Sequence, residues 1–251
     1  MYINDVHILY YVGAGILGYV IGWIINVANY ILPEEEKFFS KDFFKISKKE
    51  KMNYWINISM IIAYIALVYF FGIQKDFYAN LPLIKFGILI PMLISAYVID
   101  YRLQIIPNRL NLTMFEIGLI ITFIYGIVNV NIATDMLLGM ITGAGIFLLI
   151  TLIGGLIAGK EAMGFGDVKL MGALGLYFGF SGIIVISLIA FLLGAIISIA
   201  LIATKKKKTD EYIPFGPFIV LAAIISIFVP FSILVQILLE VFTLGMHGRL
   251  N

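Results

Sequence analysis

The chain has 251 residues, of which 62% are hydrophobic and only 13% carry a charge. Soluble globular proteins average about 25% charged residues, so this composition excludes a chain that lies mostly in water. The net charge of +2 is too small to indicate a class of partner. The absence of cysteine excludes disulfides, thiolate metal sites and a cysteine nucleophile.

Apolar stretches recur along the whole chain. A membrane-spanning helix needs about 20 mostly apolar residues to cross a hydrocarbon core of about 30 Å. The predicted spans are 6–32, 54–73, 83–101, 112–130, 134–158, 168–179, 182–204 and 214–241. The sixth is too short to cross and is interpreted as a half-helix that could continue into the seventh. The prediction is therefore an all-α polytopic integral membrane protein with about seven or eight transmembrane helices.

Basic residues predict the orientation of these spans. If the N-terminus is external, the inner loops are 33–53, 102–110, 160–169 and 205–212. Those loops hold every Lys and Arg except Lys75, Lys85 and Arg249. Because an excess of Lys and Arg in short loops marks the cytoplasmic face, we expect a multi-pass protein of the cell membrane, surrounded by lipid. A nucleic-acid partner is not expected.

Glycines recur at four-residue spacing within the predicted spans, which lets helix backbones approach closely in lipid. The pairs are Gly18 and Gly22, Gly139 and Gly143, Gly155 and Gly159, and Gly175 and Gly179. We interpret them as helix-packing positions.

Five acidic residues lie within or at the edge of the spans: Asp100, Glu116, Asp135, Asp167 and Glu240. A carboxylate is costly at that depth, so each is a candidate functional residue. Asp135 and Glu240 fall near outer span ends, where water is available. Glu116 could be a structural hydrogen-bond partner or a member of a polar site.

Asp100 ends the third span and Asp167 begins the sixth, so both are predicted at the cytoplasmic membrane boundary. Two carboxyl groups held close in a low dielectric cannot both ionise, so one keeps a proton while the other stays charged. Such a pair can supply the general acid and general base that activate water in aspartic proteolysis. A transporter or channel with an aspartate ion site is the alternative from another functional class.

Short motifs surround both aspartates. Asp167 ends the run Gly164-Phe165-Gly166-Asp167, whose glycines permit a tight turn and a close approach of substrate. Asp100 is followed by a short polar segment that ends at Pro107 and Asn108, where the proline stops the helix.

These motifs resemble those of the type IV prepilin peptidases, which are Gly-x-Gly-Asp membrane aspartic peptidases of bacteria and archaea. The segment from Asp100 to Asn108 is similar to the first catalytic segment of that family, and Gly164 to Lys169 is similar to the second. The segment from Tyr212 to Phe218 is similar to the Pro-Phe-Gly-Pro-Phe element that opens the last span.

The resemblance implies an endopeptidase that removes the short basic leader of type IV prepilins or pseudopilins, which serve type IV pili and protein secretion. Asp100 and Asp167 would be catalytic, and proteolysis would need no cofactor. The implied site-shaping residues are Gly164, Gly166, Pro107, Asn108, Lys169, Pro214, Gly216 and Pro217. Lys169 has two interpretations: a charge that biases the ionisation of the pair, or an anchor at the headgroups.

The N-terminal part resembles the family less closely. The resemblance divides the chain into a two-span region at 1–80, a reduced counterpart of the methyltransferase-associated segment, and a peptidase domain at 81–251. Many bacterial members carry two Cys-x-x-Cys pairs in the first region, which suit zinc. Zinc is not expected here because cysteine is absent. Methylation of the new N-terminus by S-adenosylmethionine stays open, and the acidic run Glu34 to Glu36 could receive the basic leader or be a solvated turn.

An intramembrane protease of the presenilin or signal-peptide-peptidase type is the alternative among enzymes, since that group shares Gly-x-Gly-Asp. It is typified by Tyr-Asp in the first motif and Pro-Ala-Leu near the end. Here Ile99 precedes Asp100, and the late motif is Pro-Phe-Gly-Pro from Pro214.

Overall fold

The computed structural model describes residues 2–4, 6–34, 53–159, 163–204 and 213–243. The predicted inner loop 205–212 lies outside the described residues, as do residues 35–52 of the loop 33–53 and residues 160–162 of the loop 160–169. Glu35, Glu36 and Tyr212, which the sequence interpretation included, are therefore outside the described part.

Within the described residues the protein is built from α-helices, which confirms the predicted all-α class. The helices are α1 (Ile8–Ile31), α2 (Tyr54–Phe71), α3 (Leu81–Leu103), α4 (Asn108–Val128), α5 (Val130–Ala158), α6 (Phe165–Ala203), α7 (Gly216–Phe228) and α8 (Phe231–Phe242). The β structure of the described part is one short antiparallel ladder, in which β1 (Tyr2–Ile3) pairs with β2 (Val6–His7).

Six of the described helices, α1 to α6, are long and apolar enough to cross a membrane. The last two have 13 and 12 residues. At 1.5 Å per residue they are about 20 and 18 Å long, too short for either to cross alone. The chain is a multi-pass membrane protein.

The predicted sixth and seventh spans lie in the 39-residue α6, which consists of two helical segments that meet at a kink. Helical backbone geometry is interrupted inside it at Gly179, where φ is 70° and ψ is −177°. Glycine tolerates this left-handed φ because it has no Cβ. The structure therefore contains the predicted half-helix, which continues into the next segment.

The predicted last span, 214–241, is wrong as one helix: it is divided into α7 and α8. Val229 is extended, with φ −101° and ψ 128°, and Pro230 follows it. Proline disfavours helical geometry in the residue before it and has no N–H to donate to the preceding turn, so the helix ends there.

The chain divides into two compact units, Met1–Ile99 and Asp100–Asn251. In the first, α1 packs closely on α2 because two glycines of α1 face its backbone. A Cβ on Gly18 would lie 2.7 Å from the Met60 carbonyl oxygen, and one on Gly22 would lie 2.9 Å from the Asn57 Cα. The functional division predicted after residue 80 stays a prediction.

In the second unit α6 is the central helix, and α4, α5 and α7 pack on it. The contact with α5 is closest at glycines. A Cβ on Gly139 would lie 2.5 Å from the Gly175 carbonyl oxygen and 2.5 Å from the Gly179 carbonyl carbon. Small residues therefore let these two helices touch through their backbones, as the four-residue spacing predicts.

We expect Gly139→Ala to destabilise the protein, because the new methyl group would force α5 away from α6. Overpacking of this kind costs about 1–3 kcal/mol. Gly145→Ala is the matched control on the same helix, since a Cβ there meets nothing within 4 Å. Thermal unfolding in detergent should show a lower midpoint for Gly139→Ala only, and equal midpoints for both variants would contradict the packing argument.

Candidate active site

Asp100 lies in the last turn of α3, with only 4% of its surface exposed. The helix ends with a hydrogen bond in which the Gln104 N–H donates to the Asp100 carbonyl at 2.9 Å. Gln104 itself has a positive φ of 57°, a left-handed conformation that commonly ends helices. The chain then turns, and Pro107 precedes the first residue of α4.

Asp167 lies in the first turn of α6 and is likewise 4% exposed. Gly164 caps this helix with an extended ψ of 138°, and its carbonyl accepts the Asp167 N–H at 3.0 Å. A carboxylate in the first turn is favoured by the partial positive charge of the helix N-terminus.

The structure brings the two aspartates together from the ends of different helices. Their carboxyl groups are close enough to interact electrostatically. Asp100 Oδ2 is buried and has no hydrogen-bond partner within the part of the chain that the structure describes. A buried acceptor without a partner is costly, so this oxygen is well placed to bind a polar ligand.

The start of α7 lies against Asp100. A Cβ on Gly216 would lie 2.5 Å from Asp100 Oδ2, and the Gly216 backbone N–H faces the same carboxyl group. Pro214 and Pro217 are both buried in this segment. Pro217 occupies the first turn of the helix, where a missing N–H costs nothing, so the segment enters α7 in one rigid conformation.

Aromatic packing holds the start of α7 in place. The Phe215 ring lies 6.0 Å from Phe147, 5.3 Å from Phe191 and 5.8 Å from Phe218, measured between ring centroids. Close aromatic pairs of this kind stabilise the packing of the helices that carry them. The position of Gly216 beside Asp100 is therefore set by side chains from α5, α6 and α7.

Ile106 contacts both glycines that flank the aspartates. A Cβ on Gly166 would lie 3.3 Å from the Ile106 Cβ, and one on Gly216 would lie 3.2 Å from its Cδ1. Sequence reasoning assigned Ile106 no role, because an isoleucine before a proline carries no chemical signal and its contacts are formed only in the tertiary structure.

Asn108 and Lys169 connect the two aspartate motifs directly. The Lys169 Nζ donates to Asn108 Oδ1 at 2.6 Å and lies 5.2 Å from the centre of the Phe165 ring. Lys169 thus joins the start of α4 to the start of α6. Neither predicted interpretation of Lys169 included this bond.

Asn111 is a second residue that sequence reasoning missed. It lies one turn into α4, it is 3% exposed, and its Nδ2 donates to the Gly166 carbonyl at 3.1 Å. The available signal is a polar amide directly before the predicted span 112–130, but an amide at a span end is common and does not by itself indicate a site.

The other acidic candidates are placed differently. Glu116 is exposed on α4. Asp135 Oδ1 accepts the Phe180 backbone N–H at 3.3 Å, beside the break at Gly179. Glu240 accepts from Gln236 at 3.3 Å on α8.

Among the described residues, no group of three or more His, Asp or Glu side chains is gathered in a way that could hold a metal ion. The expectation that zinc is not needed stays a prediction.

Comparison with known proteins gives the family of this region. Residues 87–199 match the type IV leader peptidase family. The chain contains a type IV leader peptidase domain. The predicted resemblance is confirmed, and the matched region of this peptidase domain includes both Asp100 and Asp167, whereas the segment around Gly216 lies beyond it.

Curated relatives carry the name prepilin leader peptidase/N-methyltransferase. The relative from Aeromonas hydrophila is 30% identical over 136 residues, which is 54% of this chain and 46% of that protein. The relative from Escherichia coli (strain K12) is 32% identical over 137 residues, or 53% and 58% of the two chains. The relative from Legionella pneumophila is 33% identical over 140 residues, or 55% and 47%. The chain spans about half the length of the curated relatives it matches, and no solved structure matches it.

Proposed function

We propose that this protein is an aspartic endopeptidase that removes the short basic leader from type IV prepilins or pseudopilins. The observation that carries the proposal is the buried pair Asp100 and Asp167, whose carboxyl groups interact although they are far apart in sequence. The type IV leader peptidase domain that contains both residues supports the same chemistry.

In the proposed reaction, the ionised carboxylate of the pair takes a proton from a water molecule. The protonated partner polarises the scissile peptide carbonyl, and the water oxygen bonds to the carbonyl carbon. The C–N bond then breaks as the aspartate pair gives the proton taken from water to the leaving nitrogen, which yields a carboxyl group and a new amino terminus. The acid and base roles belong to the pair, because coupled carboxyl groups titrate as one unit.

The site-shaping residues have distinct parts in this proposal. Gly216 keeps side-chain bulk away from Asp100. Gly164 and Gly166, which have no side chains, leave room for an extended substrate backbone beside Asp167 in this proposal. Pro107 precedes α4 and Asn108 begins it, and the Lys169 Nζ donates to Asn108 across the two motifs. Pro214 and Pro217 make the entry to α7 rigid.

The proposed location is the cytoplasmic face of the cell membrane, with the N-terminus external. The distribution of Lys and Arg among the loops supports this orientation. At the cytoplasmic membrane boundary the aspartates would lie beside the part of the prepilin where its basic leader, in water, joins its apolar helix, in lipid.

N-methylation of the cleaved product is the second candidate activity, and the name shared by the relatives favours it. S-adenosylmethionine would be the methyl donor, and region 1–80 would be the reduced counterpart of the segment associated with methyl transfer. Proteolysis by region 81–251 does not depend on this step.

Incubation of the purified protein with a type IV prepilin, with and without S-adenosylmethionine, tests the proposal by mass spectrometry of the products. We expect a cut at the end of the basic leader, and a methyl group on the new amino terminus only if the second activity exists. An intact prepilin would overturn the proposal. A cut inside the apolar helix would favour the presenilin-like alternative, and ion flux into liposomes without cleavage would favour a transporter.

A further inference from the structure

Asn111 makes one hydrogen bond to the candidate active site and leaves its other polar atom unused. Its Nδ2 donates to the Gly166 carbonyl at 3.1 Å. Its Oδ1 is buried and has no hydrogen-bond partner among the described residues. The side chain as a whole is 3% exposed.

The Gly166 carbonyl belongs to the peptide unit that joins Gly166 to Asp167. The N–H of that unit donates to the Gly164 carbonyl at 3.0 Å. A peptide unit is planar, so holding its oxygen and its N–H fixes the plane that contains the Asp167 Cα, and the helical backbone of α6 then sets the direction of the side chain. Asn111 supplies the bond at the oxygen end, from a different helix.

The stability of the fold does not require an asparagine at position 111. A carbonyl oxygen has two lone pairs, and the Gly166 oxygen lies in the first turn of α6, where the helix itself offers a donor. Loss of the Asn111 amide would therefore leave this oxygen partnered. A leucine has the same branched shape as asparagine and would remove the buried, unpaired Oδ1, whose desolvation is costly.

We propose that Asn111 is a positioning residue of the peptidase site, which holds the Gly166 carbonyl and thereby aims the Asp167 carboxyl group at Asp100. This inference rests on the proposed function. It accounts for a buried amide that packing does not require at this place.

Asn111→Leu tests the inference with prepilin as substrate. We expect kcat to fall about tenfold or more, since small misplacements of a catalytic group are costly. KM should stay within about twofold, because the side chain acts through Asp167 rather than on substrate. The thermal unfolding midpoint in detergent should be unchanged or higher.

Thr122→Val is the matched control, because Thr122 is also buried on α4 and its hydroxyl donates to the Gly118 carbonyl of its own helix, at 2.8 Å. It should cleave at the wild-type rate. Wild-type kcat in Asn111→Leu would overturn the inference, and so would a parallel loss of activity and unfolding midpoint, which is the signature of a structural residue.

A second measurement separates this inference from the proposed function. Aspartate labelled with carbon-13 at the side-chain carboxyl gives a resonance for Asp167, which is assigned by its loss in Asp167→Asn. We expect this resonance to shift in Asn111→Leu and to stay in place in Thr122→Val. If the wild-type protein cleaves no prepilin, the proposed function fails, and the resonance decides the inference: an unshifted signal overturns it.

Discussion

Replacement of Asp100 or Asp167 by asparagine is expected to lower the rate of prepilin cleavage about 10³-fold or more, within the range for loss of general acid or base catalysis. Asparagine keeps the shape of the side chain but can neither take a proton from water nor give one up. The double variant should be no slower than the slower single variant, because residues that act as one unit are not additive. Single-turnover cleavage followed by mass spectrometry measures all three rates.

Glu116→Gln is the control for these variants. Glu116 is also an acidic residue within a membrane helix of the second unit, but it is exposed on α4 and nothing described places it at the pair. It should cleave at the wild-type rate. Because burial of a carboxyl group is costly, neither asparagine variant should have a lower unfolding midpoint. Near-wild-type cleavage by either one would end the proposed mechanism.

Gly216→Ala is expected to lower kcat about 10- to 100-fold, because a misplacement of about 1 Å at a catalytic centre has effects of that size. The new Cβ would lie 2.5 Å from Asp100 Oδ2 and 3.0 Å from its Cγ, so the carboxyl group must rotate away. The rings around Phe215 restrain the backbone of this segment, which leaves the aspartate as the group that moves. The measurement is kcat on prepilin, together with the unfolding midpoint.

Two comparisons control for the added methyl group. Gly145→Ala adds a methyl group in open space and should leave kcat unchanged. Gly166→Ala should have a smaller effect than Gly216→Ala, because its Cβ would meet Ile106 at 3.3 Å rather than a carboxyl oxygen. Equal kcat values for Gly216→Ala and Gly145→Ala would show that the close approach to Asp100 has no role in catalysis.

Helix boundaries show where sequence patterns were sufficient and where they were not. Apolar stretches of membrane-spanning length predicted α1 to α5 closely, since the thickness of the bilayer sets the length of an apolar helix that crosses it. The same pattern joined α7 to α8, because the apolar stretch continues across Pro230 although the helix ends before it. It was sufficient at Gly179, where the predicted division between the sixth and seventh spans coincides with non-helical backbone geometry inside α6.

Composition and local motifs by themselves determined the class of this protein, its membrane helices and the two acidic motifs, because bilayer thickness and backbone stereochemistry act on short stretches of chain. Only the tertiary structure decided that Asp100 meets Asp167, that Gly216 approaches the Asp100 carboxyl group and that Asn111 holds the Gly166 carbonyl. These contacts join residues on different helices, and their partners depend on how those helices pack. A single sequence does not contain that packing as a local pattern.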